Sequence, residues 1–234
     1  MIVFLLACLV FLILRWIVQP KKRHVIVTSH FKEDLTWLKK AKWDVVLIDH
    51  EGSEPPAIEP WTVIPNRGRE GSSYLRYIVD HWDDLPDYIA FIHGHEYAEH
   101  QKYKQHMLEL IERAELKDGY TPLNGFWLGE PSPDRVKPEY YLQIAKYWYL
   151  FAPYIKKYPD VPLFADAAGQ FIVSRNKIKQ YPFRAWKTWY DALVHPETHE
   201  ELGFVFEYIW HYLFGEPWRM KPKPLRLRRP NPFQ

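Results

Sequence analysis

The chain has 234 residues and a formal net charge of +2, because 31 basic side chains nearly balance 29 acidic ones. A chain of this length can bury a full hydrophobic core in one domain, and its small net charge excludes a general nucleic-acid-binding surface. Aromatic residues make up 17% of the sequence, which excludes general disorder. The only cysteine is Cys8, in an apolar leader, so we predict a folded part without disulfides, as in a reducing compartment.

The leader, residues 2–18, is apolar except for Arg15, and the basic sequence QPKKR follows at 19–23. Its length is at the short end of a membrane span, and it lacks the charged start and small-residue site of a cleaved signal peptide. We therefore expect an uncleaved, single-pass transmembrane helix over residues 1–20. The basic residues on its C-terminal side place the following domain on the cytoplasmic face, with the Golgi or ER lumen as the alternative.

Residues 21–218 are predicted to form one α/β domain, ahead of a basic, Pro-rich tail at 219–234. Apolar runs at 24–29 and 44–49 have the length of buried strands, and a helix is expected to start at Lys32 between them. A short strand at 61–64, a helix after Gly71 and a strand at 88–92 complete a doubly wound pattern. Further helices are predicted at 103–116, 138–154, 182–193 and 201–214, with a loop or short strand at 119–129 and a turn feeding a strand at 165–175.

One helix start and one strand end carry side chains suited to a nucleotide. The loop Asn66-Arg67-Gly68-Arg69 puts two guanidinium groups and a glycine at a helix N-terminus, where anions such as pyrophosphate bind. Asp49 ends the second strand, where a carboxylate can accept hydrogen bonds from a ribose or a base. The alternatives are solvated arginines at a capped helix, and an ordinary strand-to-loop carboxylate.

A cluster of ligand-type side chains follows the strand at 88–92. His93, His95 and Glu96 could hold a divalent cation such as Mn²⁺ or Mg²⁺, since imidazole and carboxylate groups are common metal ligands. In an extended segment, His93 and His95 point to the same side. Direct contact with a phosphate, or simple exposure in a loop, are the alternatives.

Two acidic residues are candidates for a catalytic base. Asp166 precedes a small-residue turn that allows close approach of a ligand, and Glu207 shares a helix face with His211. A carboxylate that deprotonates an acceptor hydroxyl is what an inverting group transfer requires. The alternative is that Glu207 and His211 form a structural polar pair beneath an aromatic layer.

Residues 25–218 resemble an uncharacterised family found in fungi and some large DNA viruses, which is similar to GT-A-type glycosyltransferases. The stretches that carry the resemblance are VIVTSHFKEDLTWL, VVLIDHEGS, PNRGREGSSYLRYIVDHWDDLPDYIAFIHGHE, AAGQFIVSR and FEYIWHYLFGEPW. The most specific motifs are Asn66-x-Gly68-Arg69-Glu70 and Glu207-x-x-Trp210-His211.

This resemblance implies a GT-A-like, Rossmann-like mixed sheet flanked by helices. It implies a nucleotide against the end of the first strand, at Thr28, Ser29 and His30, and it matches the segment that starts at Asp49 to the Asp-Asp-Gly-Ser of GT-A enzymes. Where that fold has a metal-binding Asp-x-Asp, this chain has His93-Gly94-His95, followed by Glu96.

We therefore expect a membrane-anchored glycosyltransferase, a hexosyl- or pentosyltransferase. It would move a sugar from a nucleotide-diphosphate sugar to a glycan or another hydroxyl acceptor. Two alternatives remain: a metal-dependent hydrolase built on His93, His95 and Glu96, and a catalytically inactive, transferase-fold binding module. The expected partners are the nucleotide sugar, the acceptor and the membrane, without nucleic acid.

Overall fold

A computed structural model of the chain describes residues 23–97, 105–125, 127–129, 138–155, 158–159, 163–166, 169–198 and 200–221. The predicted membrane anchor at 1–20 and the tail beyond residue 221 lie outside these ranges. Within the ranges given, no helix combines the length and the apolar character needed to cross a bilayer.

The described chain is organised around a mixed β-sheet of six strands, with a separate two-stranded ribbon. The strands are β1 (His24–His30), β2 (Asp44–His50), β3 (Thr62–Ile64), β4 (Tyr88–His93), β5 (Tyr120–Pro122), β6 (Trp127–Gly129), β7 (Phe164–Asp166) and β8 (Phe171–Ser174). The sheet order is β3-β2-β1-β4-β8-β5, in which β1 to β4 are parallel and β8 pairs antiparallel with both β4 and β5. Strands β6 and β7 form the ribbon.

Strand β1 is the switch point of the sheet, because the strands that follow it in sequence lie on both sides of it. Strands β2 and β3 extend the sheet to one side of β1, whereas β4 pairs on the other side. Ser29 lies opposite both Ile48 and His93, so the carboxyl ends of β1, β2 and β4 lie at the same edge. In open α/β sheets, ligands bind at such a switch point, outside the carboxyl ends of the strands.

Helices cover both faces of the sheet, so the predicted mixed sheet flanked by helices is confirmed. The helices are α1 (Arg69–Asp80), α2 (Met107–Arg113), α3 (Pro138–Tyr147), α4 (Arg175–Lys179), α5 (Phe183–Val194) and α6 (Glu201–Leu213). Successive strand residues point to opposite faces. Accordingly Val25 and Val27 join a large core with α1, α5 and α6, while Ile26 joins a smaller core with α2.

The larger core is rich in aromatic rings. Trp210 of α6 lies 5.8 Å from Phe214 and 5.6 Å from Phe171 of β8, between ring centroids. Tyr74 of α1 lies 4.8 Å from Phe91 of β4. These contacts hold α1 against the sheet, and they thereby fix the start of α1 beside the switch point.

The first predicted helix differs from the observed structure. In place of a helix from Lys32, the chain forms a 3₁₀ turn at Thr36–Lys40. The Glu33 carboxylate accepts hydrogen bonds from the amides of Phe31 and Lys32, and Asp34 accepts one from the Thr36 amide. Such local side-chain bonds satisfy amides in a non-helical turn and compete with helix formation.

Two other helices are shorter than predicted. Among the described residues of the 103–116 prediction, α2 covers Met107–Arg113, and the His106 side chain caps it by accepting a hydrogen bond from the Leu108 amide. The helix predicted at 138–154 ends at Tyr147, and a 3₁₀ turn at Trp148–Leu150 follows.

Candidate functional site

A cleft of about 310 Å³ opens at the carboxyl ends of β1 and β4. Residues from separate segments of the chain line it: Ser29, His30, Phe31, Glu33, His50, Asn66, Arg69, Glu70, His93, Gly94 and His95. Six of them are predicted site residues: Ser29, His30, Asn66, Arg69, His93 and His95. The structure thus brings the polar end of β1, the start of α1 and the end of β4 together at the switch point.

The start of α1 has an unusual backbone conformation. Gly68 and Arg69 both have positive φ angles, 74° and 56°. A side chain at residue 68 would also collide with Leu193, because a Cβ atom there would lie 2.3 Å from Leu193 Cδ2. A positive φ costs a non-glycine residue roughly 1–2 kcal/mol, so the surroundings of Arg69 must hold it in place.

Those surroundings come from α6. The Arg69 Nε donates a hydrogen bond to Glu207 Oε1 at 2.9 Å, and the guanidinium lies 4.3 Å from the centroid of the Phe204 ring. The contact between Arg69 and Glu207 joins the first turn of α1 to α6 across 138 residues of sequence. It keeps the guanidinium at the wall of the cleft.

Four ionisable side chains, which we call the charge cluster, meet beside this wall: Arg69, Glu70, His93 and Glu207. Glu70 Oε1 lies 3.6 Å from His93 Nε2, and Glu70 Oε2 lies 3.8 Å from Arg69 Nε. Glu70 is 9% exposed, and its side chain lines the cleft. The cluster therefore brings one guanidinium group, one imidazole and two carboxyl groups together at the wall of the cleft.

The groups of the charge cluster shift one another's pKa values. Burial opposes ionisation of Glu70, but the charges of His93 and Arg69 prevail and lower the pKa of Glu70 to about 2. Burial alone would lower the pKa of His93, yet Glu70 raises it above the ordinary value. Burial and the nearby Glu70 carboxylate raise the pKa of Glu207 to about 8. Near neutral pH the two carboxyl groups thus share a single proton.

The backbone of Gly169 packs directly against the charge cluster. A Cβ atom at this position would lie 2.5 Å from His93 Nε2 and 2.7 Å from Glu70 Oε1. The Tyr74 hydroxyl, which is fully buried, donates a hydrogen bond to the Gly169 carbonyl at 2.7 Å. Only a residue without a side chain can approach the cluster this closely.

The ends of β1 and β2 form a second polar group. His30 Nδ1 donates to Asp49 Oδ1 at 2.7 Å, and the hydroxyl of Ser53 donates to the same carboxylate at 2.6 Å. Asp49, predicted to contact the nucleoside, is thus engaged behind His30 and is not among the residues that line the cleft. It positions His30, which does line the cleft.

His50 and two serines form a buried triangle at the same edge. His50 Nε2 lies 2.9 Å from Ser29 Oγ and 3.0 Å from Ser73 Oγ, and the Ser73 hydroxyl donates to Ser29 Oγ at 2.9 Å. Burial lowers the pKa of His50, which keeps its imidazole neutral at physiological pH. The triangle fixes the orientation of Ser29 at the cleft.

The three predicted metal ligands do not converge. The His93 side chain lies against Glu70, and His95 Nε2 lies 4.0 Å from Glu33 Oε1. Glu96 instead pairs with His106 at 2.9 Å. In the part of the chain that the structure describes, no three His, Cys, Asp or Glu side chains are placed to hold a metal ion. The donor set predicted from the sequence does not fit one cation.

Two predicted catalytic residues lie away from the cleft. Asp166 ends β7, where it pairs with Trp127 in the ribbon and is buried. His211 is fully buried among aromatic rings, 6.1 Å from the centroid of Trp218, and burial lowers its pKa to about 3. Glu207 is the one of the three that joins the charge cluster.

The other predicted nucleotide-binding residues take different positions. Thr28 is fully buried beneath the cleft. Arg67 donates a hydrogen bond to the Pro196 carbonyl at 3.0 Å and, with Gly68, lines a smaller neighbouring pocket of about 200 Å³. Asn66 lines both this pocket and the cleft, so the two adjoin.

The sequence prediction missed Glu70, Glu33 and His50 as cleft residues. Glu70 lies within the predicted motif, but an acidic residue in the first turn of a helix is typical of any stabilised helix start. What distinguishes it is contact with His93, which is formed only by the fold.

Comparisons with known proteins identify a family. No curated protein matches the chain, and neither does any solved structure. The family described as "Protein of unknown function (DUF3431)" matches residues 25–226, which include every described residue of the cleft and of the charge cluster. The chain therefore belongs to the DUF3431 family.

Proposed function

We propose that this protein transfers a glycosyl group from a nucleotide-diphosphate sugar to a hydroxyl acceptor. The observation that carries the proposal is the convergence of Asn66, Arg69, His93 and His95 on one cleft at the end of β1. Donors of this kind suit a diphosphate, and the switch point of an open α/β sheet is where nucleotides bind.

Arg69 is the residue assigned to the diphosphate. As the sugar leaves, negative charge grows on the diphosphate, and a fixed cation beside it lowers the barrier. The Arg69 guanidinium is half exposed at the cleft. It donates a hydrogen bond to Glu207 and lies 3.8 Å from Glu70. A bound phosphate would take over part of this contact, with His93, whose protonated form Glu70 favours, as the second group.

The nucleoside is assigned to the β1 end of the cleft. Ser29 and His30 line the cleft there, and an adjoining pocket of about 480 Å³ shares Phe31, Glu33, Gly94 and His95 with the cleft. The pocket adds the aromatic rings of Trp37 and Tyr97, which can pack against a base or a sugar. The membrane anchor predicted at 1–20 would hold this site near a membrane-bound acceptor.

The proposal is tested by thermal unfolding of the full chain in detergent, with UDP, GDP, UDP-sugars or GDP-sugars, each with Mn²⁺ and with chelator. Ligand at 100 times its Kd stabilises the native state by about 2.7 kcal/mol, which corresponds to a Tm rise of roughly 5–10 °C. Arg69→Met should abolish that rise. Arg184→Met, at an exposed position of α5, should retain it.

Each outcome of this experiment has a defined meaning. A rise with at least one nucleotide, lost in Arg69→Met, supports the proposal. A rise with metal alone and with no nucleotide contradicts it and favours the hydrolase. Nucleotide binding that is never followed by sugar transfer favours the inactive binding module.

A further inference from the structure

We propose that Glu70 is the catalytic carboxylate of the cleft and that Glu207 is a positioning residue that acts through it. This inference rests on the proposed glycosyl transfer and gives the acceptor proton a different destination from the residues predicted by sequence. Of the carboxylates considered so far, Asp166 and Glu207 are not among the residues that line the cleft, whereas Glu70 is.

The contacts of Glu70 leave it able to accept hydrogen bonds from a ligand. Its distances to His93 Nε2, 3.6 Å, and Arg69 Nε, 3.8 Å, are those of ion pairs and are longer than direct hydrogen bonds. The charges of His93 and Arg69 hold the carboxylate ionised. A nearly buried carboxylate gains most from a ligand hydroxyl, because an unfilled buried acceptor is costly.

Glu33 provides a contrast within the same cleft. Its carboxylate accepts hydrogen bonds from the Phe31 amide at 2.8 Å and the Lys32 amide at 3.1 Å. Those bonds commit the side chain to its own loop. Of the two cleft carboxylates, Glu70 is the one that lies beside Arg69 in the charge cluster.

The proposed step forms one bond to the anomeric carbon and breaks another. The acceptor oxygen attacks the anomeric carbon of the donor and forms the new C–O bond. The bond between that carbon and the diphosphate oxygen breaks, and its electron pair leaves with the diphosphate. The acceptor proton passes to the Glu70 carboxylate when Glu207 is ionised, because the fully ionised pair takes up its first proton with a pKa of about 8. Beside a protonated Glu207, Glu70 is a weak base. Arg69 stabilises the leaving group at the other side of the cluster.

Glu207 acts on Glu70 in two ways. It holds Arg69, whose Nε lies between the two carboxyl groups, at 2.9 Å from Glu207 and 3.8 Å from Glu70. It also carries the proton that the two carboxyl groups share, so its ionisation makes the pair a stronger proton acceptor. The titratable and charged groups around the pair are Arg69 and Tyr74 of α1 and His93 of β4.

The test measures steady-state release of nucleoside diphosphate by the full chain, with UDP-glucose, UDP-N-acetylglucosamine or GDP-mannose as donor and octyl glycosides as acceptors. Glu70→Gln should lower kcat at least about 100-fold, the usual contribution of a general base, and leave the donor KM within about threefold. Glu207→Gln should lower kcat less and should change the pH dependence of kcat. Glu112→Gln, on the surface of α2, should match wild type.

Glu70→Asp keeps the negative charge but moves the carboxylate back by one methylene group. It replaces Glu70→Gln in the test if that variant does not fold. A folded Glu70→Asp variant should lose kcat and keep the nucleotide-induced Tm rise. If either folded variant retains wild-type kcat, the inference is overturned while the proposed function stands. If the wild-type chain neither binds a nucleotide nor releases one, the proposed function and this inference both fall.

Discussion

The pKa values of two histidines in this protein, His93 and His211, shift in opposite directions. His93 lies in the charge cluster, where Glu70 outweighs the effect of burial and raises its pKa. His211 lies in the aromatic core, where burial lowers its pKa to about 3. Glu207 is one helical turn before His211 on α6, yet it faces the charge cluster. Because residues four apart lie on the same face of a helix, position along α6 separates the two: Glu207 meets the cluster, and His211 one turn later lies in the core.

The comparison separates two kinds of region. The charge cluster keeps ionised groups near the cleft at an energetic cost, and the aromatic core beneath it supplies the packing that holds them in place. Helix α6 contributes to both, since Glu207 belongs to the cluster, while Trp210 and His211 belong to the core. Substitutions in the core should change stability, and substitutions in the cluster should change chemistry.

The largest expected effect is in the core. Trp210→Ala should lower the free energy of unfolding by about 3–5 kcal/mol, because it leaves a cavity among Phe171, Phe206 and Phe214. Denaturant titration measures this loss. Trp61→Ala, at a side chain that is 45% exposed, should cost less than about 1 kcal/mol. Equal losses in the two variants would contradict this description of the core.

A substitution at Gly169 tests the boundary between the charge cluster and the aromatic core. Gly169→Ala should destabilise the fold by about 1–3 kcal/mol, because the new methyl group would overlap His93 Nε2 and Glu70 Oε1. It should also weaken nucleotide binding in a thermal-shift assay, since both side chains must move. Gly119→Ala meets only ordinary contacts at 3.5 Å or more, so its stability should stay near wild type.

His211 should make the protein sensitive to acid. The unfolded chain takes up a proton at this histidine below about pH 6.5, whereas the folded chain resists protonation down to about pH 3. Stability should therefore fall as the pH drops, by about 2 kcal/mol at pH 5 from this group. His211→Leu should remove that part of the loss in denaturant titrations at pH 5 and pH 7. His95→Gln, at a half-exposed side chain, should not.

Glu207 should produce the opposite slope at higher pH. Its folded-state pKa of about 8 lies above the unfolded value, so the folded chain keeps a proton that the unfolded chain releases. Stability should fall by about 1 kcal/mol per pH unit as the pH rises towards 8. In Glu207→Gln this slope should be smaller. An unchanged slope in the variant would mean that Glu207 is already ionised in the native protein.

Much of the fold and part of the site could be predicted from sequence. The apolar runs at 24–29, 44–49 and 88–92 predicted three of the parallel strands, and the end of the third run pointed to His93. The family resemblance, rather than the local pattern, implied the positions of Ser29 and His30. Local pattern could not show that Glu96 turns to His106, or that Asp49 lies behind His30. Those directions depend on tertiary neighbours, and the same holds for the contact that makes Glu70 a cleft residue.

The measurement that tests the central claim most directly follows the anomeric proton of a nucleotide sugar by NMR, in the presence of the full chain and an octyl glycoside. We expect the donor signal of at least one sugar to be replaced by that of a new glycosidic linkage, with little turnover in Arg69→Met. Donors that remain intact, donors converted only to free sugar, or equal turnover in Arg69→Met would contradict glycosyl transfer at this cleft.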